Sequence, residues 1–255
     1  MSFNIVLFGE AGIGRSSVIN LIAGIDVTKT SPDSQVCTLE SQWYTFSVAN
    51  RTFNIWDIGS GESLFNITHC LGGIEKMYRL IQKVQAAGGL DLLLFCVPGN
   101  GSRITQTMMC SYRLFYEVLC EKRIPIALVV THLEGEMRMD DWWTRNAQYI
   151  SQCGLHFSGH ACVTGLRDDP KAEEGRIALE LLLQSYGLEG RYAMPPVSDW
   201  YRGFLQRLLA TIFPSEKVKD KREQLERLLC DRSMMHSALA QKLAKDLARV
   251  TVQDC

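Results

Sequence analysis

The chain has 255 residues, of which 46% are hydrophobic, enough for one large domain or one domain plus an appendage. A net charge of −1 and a pI near 6.5 argue against a nucleic-acid binder held by bulk electrostatics. Nine scattered cysteines, an odd number without framework spacing, suit free thiols in a reducing cytosol better than a secreted disulfide scaffold. With no basic signal-peptide region and no window of the roughly 18 apolar residues that a membrane span needs, the expectation is a soluble, cytoplasmic protein without a membrane span.

The first predicted element is the apolar β-run Asn4-Ile5-Val6-Leu7-Phe8. Gly9-Glu10-Ala11-Gly12-Ile13-Gly14-Arg15-Ser16 follows, a phosphate-binding loop with arginine at its lysine position. In such a loop the glycines let successive backbone N–H groups curl around a triphosphate. The lysine reaches the β- and γ-phosphates, and the hydroxyl, here Ser16, holds Mg²⁺. Ser17 opens the helical run to Ala23, whose positive N-terminus would receive the anion. The plain alternative is a glycine-rich strand-to-helix turn with no ligand.

Residues 25–40 form a polar stretch containing Thr38, placed where a second Mg²⁺-side hydroxyl would come from a mobile loop. A simple strand start is the other reading of Thr38. Trp43–Val48 and Thr52–Trp56, joined by Ala49-Asn50-Arg51, predict a hairpin and hence one antiparallel strand in the sheet. Asp57 ends that second strand and leads into Ile58-Gly59-Ser60-Gly61-Glu62. This suits a water-mediated Mg²⁺ ligand followed by a γ-phosphate-sensing loop, or else an Asp that caps a turn.

Farther along, the pattern predicts a helix over 72–87, a buried strand Leu90–Val97, a helix over 105–121 and a buried strand Ile126–Val130. A helix over Asp140–Ile150, a strand near Phe157–Val163 and a helix over 172–186 complete the alternation. This is the signature of an α/β fold with a mostly parallel sheet flanked by helices. Thr131-His132-Leu133-Glu134 stands at the end of the strand Ile126–Val130. Guanine presents N1–H and the N2 amine side by side, a pair that the Glu134 carboxylate can accept as a fork while His132 stacks on the base. A surface turn is the alternative. Cys162-Val163-Thr164-Gly165 could bring backbone groups to the base edge.

After Pro195-Pro196 comes a helix at about 198–212, and Pro214-Ser215 predicts a long C-terminal helix with Ser215 as N-cap. Leu225, Leu228, Leu229, Met235, Leu239, Leu243 and Leu247 give it an apolar face. The nine Lys/Arg and seven Asp/Glu of 215–255 nearly balance, against a polybasic membrane tether. The helix either folds back on its own domain or meets a protein partner. Two other clusters have ordinary readings. Cys153, His156, His160 and Cys162 match no standard zinc spacing and read as buried thiols and a loop histidine, and Trp142-Trp143 reads as packing.

The order of phosphate loop, switch threonine, strand-end aspartate and Thr-His-x-Glu resembles the P-loop NTPase fold of septin-like GTPase G domains. It is similar above all to the immunity-associated nucleotide-binding (AIG-type) GTPases and the chloroplast-import receptor GTPases. Thr38-Leu39, Leu92-Leu93-Leu94-Phe95-Cys96 and Asp141-Trp142-Trp143-Thr144-Arg145-Asn146 look like a fungal-type branch of that group. The resemblance implies a G domain over 1–190 followed by a C-terminal helical extension over 191–255. It also implies GTP/GDP with Mg²⁺ and a homodimer across the nucleotide face. The nucleotide would be bound by Gly9–Ser17, Thr38, Asp57, Ser60, Gly61, Thr131, His132, Glu134, Thr164 and Gly165, and the metal by Ser16, Thr38 and Asp57. Three departures stand out: Arg15 for lysine, Asp57-Ile58-Gly59-Ser60 for Asp-x-x-Gly, and no glutamine to orient water. They favour slow or absent hydrolysis and permit a pseudo-GTPase.

Overall fold

The computed structural model describes residues 2–28, 42–48, 51–58, 70–100, 104–186, 192, 197–213, 216, 219–231, 240, 241 and 244. Thr38, Ser60, Gly61, Glu62 and Ser215 therefore lie outside the described residues. Two compact units emerge, one of Met1–Ser60 with Ala87–Ala193 and the other of Gly61–Ala86 with Met194–Cys255.

The first unit is built on a six-stranded sheet in the order β2-β3-β1-β4-β5-β6. Its strands are β1 (Ser2–Phe8), β2 (Gln42–Val48), β3 (Arg51–Ile58), β4 (Leu92–Pro98), β5 (Ile126–Thr131) and β6 (Gly159–Cys162). β2 and β3 form the predicted antiparallel hairpin, and every other pairing is parallel. The parallel strands read as unbroken apolar runs because both of their faces are covered. Phe3, Ile5 and Leu7 point to one side and pack with Val18, Ile19 and Ile22 of α1 (Arg15–Ala23) and with Leu179, Leu182 and Leu183 of α5 (Ala172–Ser185). On the other side Phe8 stacks on Phe95 at 4.9 Å and meets Phe115 at 4.3 Å. Each such fully buried side chain contributes about 1.5–3 kcal/mol.

A polar chain crosses the sheet inside this apolar frame. Asn4 Nδ2 donates to the Ala87 and Gly89 carbonyls, Asn54 Nδ2 donates to Asn4 Oδ1 at 2.9 Å, and Thr45 Oγ1 donates to Asn54 Oδ1 at 2.9 Å. The Asn4 amide is itself held by Asp91 Oδ2 at 2.7 Å. The buried Asn4, Asn54 and Asp91 side chains are thus paired, as the cost of desolvating them requires, and the exposed Thr45 ends the chain.

The expected helix over 105–121 takes two forms. α3 (Gln106–Tyr112) is capped by Thr105, whose side chain accepts from the Met108 amide, and a π-helix follows over Arg113–Leu119. The wider winding, closed by the Cys120 amide on the Phe115 carbonyl, buries Leu114, Phe115, Val118 and Leu119. A 3.6-residue period cannot signal it. α4 (Asp141–Gln152) buries Trp142, whose Nε1 donates to the Gly99 carbonyl at 3.0 Å. Trp143 stacks on the His160 ring at 4.3 Å, and His160 Nε2 pairs with Asp140 at 2.9 Å. His156 is exposed, while Cys162 is buried. β6 is shorter than the expected Phe157–Val163, because Phe157 stacks on Phe95 rather than joining the ladder.

The second unit contains α2 (Cys70–Ala86), α6 (Val197–Ile212) and α7 (Lys219–Cys230). Tyr78 of α2 meets Tyr201 of α6 edge to face at 4.9 Å. Tyr201 OH reaches the Leu229 carbonyl, Gln206 Nε2 donates to Glu226 Oε1 at 2.9 Å, and Arg222 Nη1 donates to the Phe213 carbonyl at 2.8 Å. Those contacts run in opposite chain directions, so α6 and α7 form an antiparallel hairpin over buried Phe204, Leu208, Leu225 and Leu229. The long helix expected from Ser215 is thus confined, among the described residues, to Lys219–Cys230 before a bend at Asp231, with Ala240, Gln241 and Ala244 again helical. No described helix is long and apolar enough to cross a membrane.

Candidate functional site

The carboxyl ends of β1, β3, β4 and β5 lie along one edge of the sheet, since these strands are parallel and in register. In open α/β sheets that edge is where ligands bind. The chain leaves β1 at Phe8 and turns through three glycines, Gly9, Gly12 and Gly14, with φ of 155°, 76° and 82°. Gly9 is required by space as well as by backbone. A Cβ there would sit 2.3 Å from Ile13 Cδ1 and 2.6 Å from the Cys96 carbonyl oxygen. Gly14 is left-handed at the N-cap of α1 and supplies no side chain, so the first amides of that helix stay directed at the loop's concavity. The Val18 amide makes the first helical bond, to the Gly14 carbonyl at 3.0 Å. Ala11 and Gly12 are exposed, Ile13 is buried, and Ser16 and Ser17 are half-buried at the start of α1.

Two anchors hold the loop from outside. Thr131, fully buried at the end of β5, donates from Oγ1 to the Ile13 carbonyl at 2.6 Å, with the Val97 carbonyl 3.3 Å away. Thr105 Oγ1 donates to Glu10 Oε1 at 2.6 Å, tying the loop to the start of α3. His132 adopts φ of 57°, a left-handed backbone that non-glycine residues rarely take, and its Nε2 lies 3.3 Å from the Gly12 carbonyl. Strand end and phosphate loop are thereby one assembly.

Arg15 folds inward. Its Nε donates to Asp57 Oδ1 at 2.7 Å, and its Nη1 donates to the Gly9 carbonyl at 2.7 Å and to the Glu10 carbonyl. The Arg15 and Asp57 side chains are only 12% and 11% exposed. Planar and forked, the guanidinium suits this grip on a carboxylate and two carbonyls better than a lysine ammonium would. The Cys96 thiol lies in the same field. Burial pushes it up, with Arg15 opposing and Asp57 adding to the shift.

Glu134 stands three residues beyond Thr131. Its Oε2 is buried without a hydrogen-bond partner, while its backbone carbonyl accepts from Lys171 Nζ at 2.6 Å. Lys171 also donates to the Glu136 carbonyl at 2.6 Å, fixing the 134–136 turn. Thr164 is fully buried, and its Oγ1 accepts from the Leu166 amide at 3.2 Å. Gly165 sits against the start of α1, where a Cβ would come within 3.2 Å of Ser17 Cβ. A groove of about 990 Å³ runs beside it, lined by Ser17, Asn20, Asp26, Thr28, Gly165, Leu166 and Arg167 among others. At its rim Arg167 pairs with Asp26.

The structure therefore gathers Gly9 to Ser17, Asp57, Thr131, His132 and Gly165 around the phosphate loop, with Thr164 next to Gly165 in the chain and Glu134 following the β5 end. Four residues that sequence reasoning did not single out support them: Thr105, Lys171, Asn20 and Arg167. Asn20 Oδ1 accepts from the Val27 and Thr28 amides at 3.0 and 2.9 Å, and this shapes the exit from α1. Thr105 stands at the start of the helix expected over 105–121, and nothing in its neighbours marks it as a loop anchor.

A family model described as 50S ribosome-binding GTPase matches residues 4–132. No curated protein matches the sequence. Among solved structures, the chain is similar to the chloroplast translocon components atToc33 and psToc159, at 15% identity over 76% of this chain and 86% of that one, with a TM-score of 0.54. It is also similar to Era of Aquifex aeolicus bound to GDP·AlF4⁻, at 13% identity over 84% of this chain and 68% of that one, with a TM-score of 0.50. At these identities the likeness is one of fold.

Proposed function

Because the chain belongs to this GTPase family and carries a P-loop G domain, we propose that it binds guanine nucleotides and works as a GTP/GDP switch or scaffold with slow or absent hydrolysis. The observation that carries the reading is the phosphate loop itself, turned left-handed at Gly12 and Gly14 into the N-terminus of α1 and bonded by Thr131 and His132 to the end of β5. The adjacent N1–H and N2 amine of guanine are donors that the Glu134 carboxylate, three residues beyond Thr131, would accept. Phosphates would rest on the amides of 10–16 at the positive end of α1, with Arg15 as counter-charge. His132 would stack on the base, and Thr164 and Gly165 would border it. Slow hydrolysis follows from the missing glutamine, since Glu62 beside a negative γ-phosphate is a poor water-positioning group.

In the chloroplast translocon components atToc33 and psToc159, dimerization is important for the GTPase activity. By analogy, and in keeping with the AIG-type, septin-like resemblance, we assign this chain a homodimer across its nucleotide face. Sedimentation with and without a GTP analogue tests it.

A second reading is a pseudo-GTPase, an interaction module with a vestigial pocket. The bonding of Arg15 back onto Asp57 and onto the loop's own carbonyls favours it. Titration calorimetry of nucleotide-stripped protein with GTP, GDP and ATP separates the two. Micromolar or tighter binding of guanine nucleotides alone is the expected result, and no binding of any nucleotide would leave the interaction module standing.

A further inference from the structure

Magnesium is the ion that this fold implies, and the strand-end acid does not fit it as arranged. A magnesium shell is a near-octahedral set of oxygens, in which one or two carboxylates and the substrate phosphates take part. Asp57 is the strand-end carboxylate for that role, and its Oδ1 is already bonded to Arg15 Nε at 2.7 Å. The same guanidinium is pinned by the Gly9 and Glu10 carbonyls, so its plane is fixed from two sides. The pair is nearly nine-tenths buried, where charges are screened less than at a surface. A doubly charged ion held beside Asp57, through water as at such a strand end, would meet a fixed positive group against the same carboxylate.

Resting on the nucleotide-binding reading above, we infer that Arg15 takes the place of the divalent cation at Asp57, so that this chain binds guanine nucleotide without magnesium. The positive charge that neutralises the strand-end acid is covalently part of the loop and present before any ligand arrives. The phosphates are then held by the loop amides and the α1 terminus, which need no metal to bind an anion.

The test is GDP titration of full-length, nucleotide-stripped protein in millimolar MgCl₂ and again in excess EDTA, with the Arg15→Lys variant in parallel. The native protein is expected to bind GDP with affinities that agree within about threefold between the two buffers. Arg15→Lys, with a point charge that can leave Asp57 for the phosphates, is expected to bind roughly tenfold or more tighter in magnesium than in EDTA. Tight native binding that falls roughly tenfold or more in EDTA would overturn the role given to Arg15 and leave the nucleotide reading intact. Metal-independent binding by Arg15→Lys as well would show that Arg15 is not the cause. Absence of binding in both buffers would overturn the nucleotide reading and this inference with it. Circular dichroism and thermal melting of each protein establish that the variant is folded, and the native comparison decides the metal question without it.

Discussion

Thr131 and Ile13 lie 118 residues apart in the chain, yet a single 2.6 Å hydrogen bond joins the end of β5 to the phosphate loop. The Thr131 side chain is fully buried, so the Ile13 carbonyl has no water to fall back on at that point. The isosteric change Thr131→Val is expected to destabilise the protein by about 1–3 kcal/mol, the usual cost of leaving a buried polar group unpaired. Urea unfolding measures it, and a change below a few tenths of a kcal/mol would show that the anchor carries little.

Glu134→Ala removes the carboxylate assigned to guanine. Hydrogen bonds to charged groups contribute about 1.5–3 kcal/mol, so GDP affinity is expected to fall roughly ten- to hundredfold with ADP affinity unchanged. Calorimetry with both nucleotides reads the difference, and equal losses for both would remove Glu134 from base recognition.

The loop glycines are not equivalent. Gly12 has φ of 76° with nothing within 4 Å of an added Cβ, so Gly12→Ala is expected to cost only the left-handed backbone penalty of about 1–2 kcal/mol. Gly9→Ala drives its Cβ into the Cys96 carbonyl, a backbone atom that cannot rotate away. Its melting temperature is expected to fall clearly further than that of Gly12→Ala. Equal shifts in thermal melts would contradict the packing argument.

Three buried thiols give stability a pH dependence. Burial raises the Cys96 and Cys120 thiols well above their ordinary 9.0, and raises Cys162 to about 12 with the Asp140 carboxylate adding to the shift. An acid whose folded pKa is raised keeps its proton in the native state while the unfolded chain loses it. The stabilisation is full below the unfolded value near 9 and drains away as pH rises toward the folded values. Unfolding free energy should therefore fall as pH rises from about 9 toward about 12, and fall less steeply in a Cys96→Ala, Cys120→Ala, Cys162→Ala triple variant. Identical slopes would mean that other groups govern alkaline stability.

The sheet was readable because its parallel strands are buried on both faces and its glycines fall where the backbone must turn left-handed. The hairpin, the loop and Thr131 follow from such local signals. Arg15 is where local reading stopped. Its spacing marks it as the phosphate-reaching group, but the partner that it takes, Asp57, is 42 residues away and comes beside it only through the β1–β3 pairing. The π-helix after Tyr112 was hidden because its apolar residues also fit an ordinary helix. α2 carries no mark in its own residues that its contacts cluster with those of α6 and α7, since a pairing of helices so distant in sequence is set by complementary faces.

The Asn4–Asn54–Thr45 chain has a consequence for how this protein reaches its native state. Apolar strands of similar length can dock in several offsets at little difference in energy, but the buried Asn4 and Asn54 side chains bond each other in only one of them. An edge hairpin that zips up displaced by two residues keeps its greasy faces inward but loses the Asn54–Asn4 bond, leaving Asn4 Oδ1 and Asn54 Nδ2 without each other. A displaced pairing is thereby penalised, so these asparagines favour a single register in the sheet whose rim carries the phosphate loop.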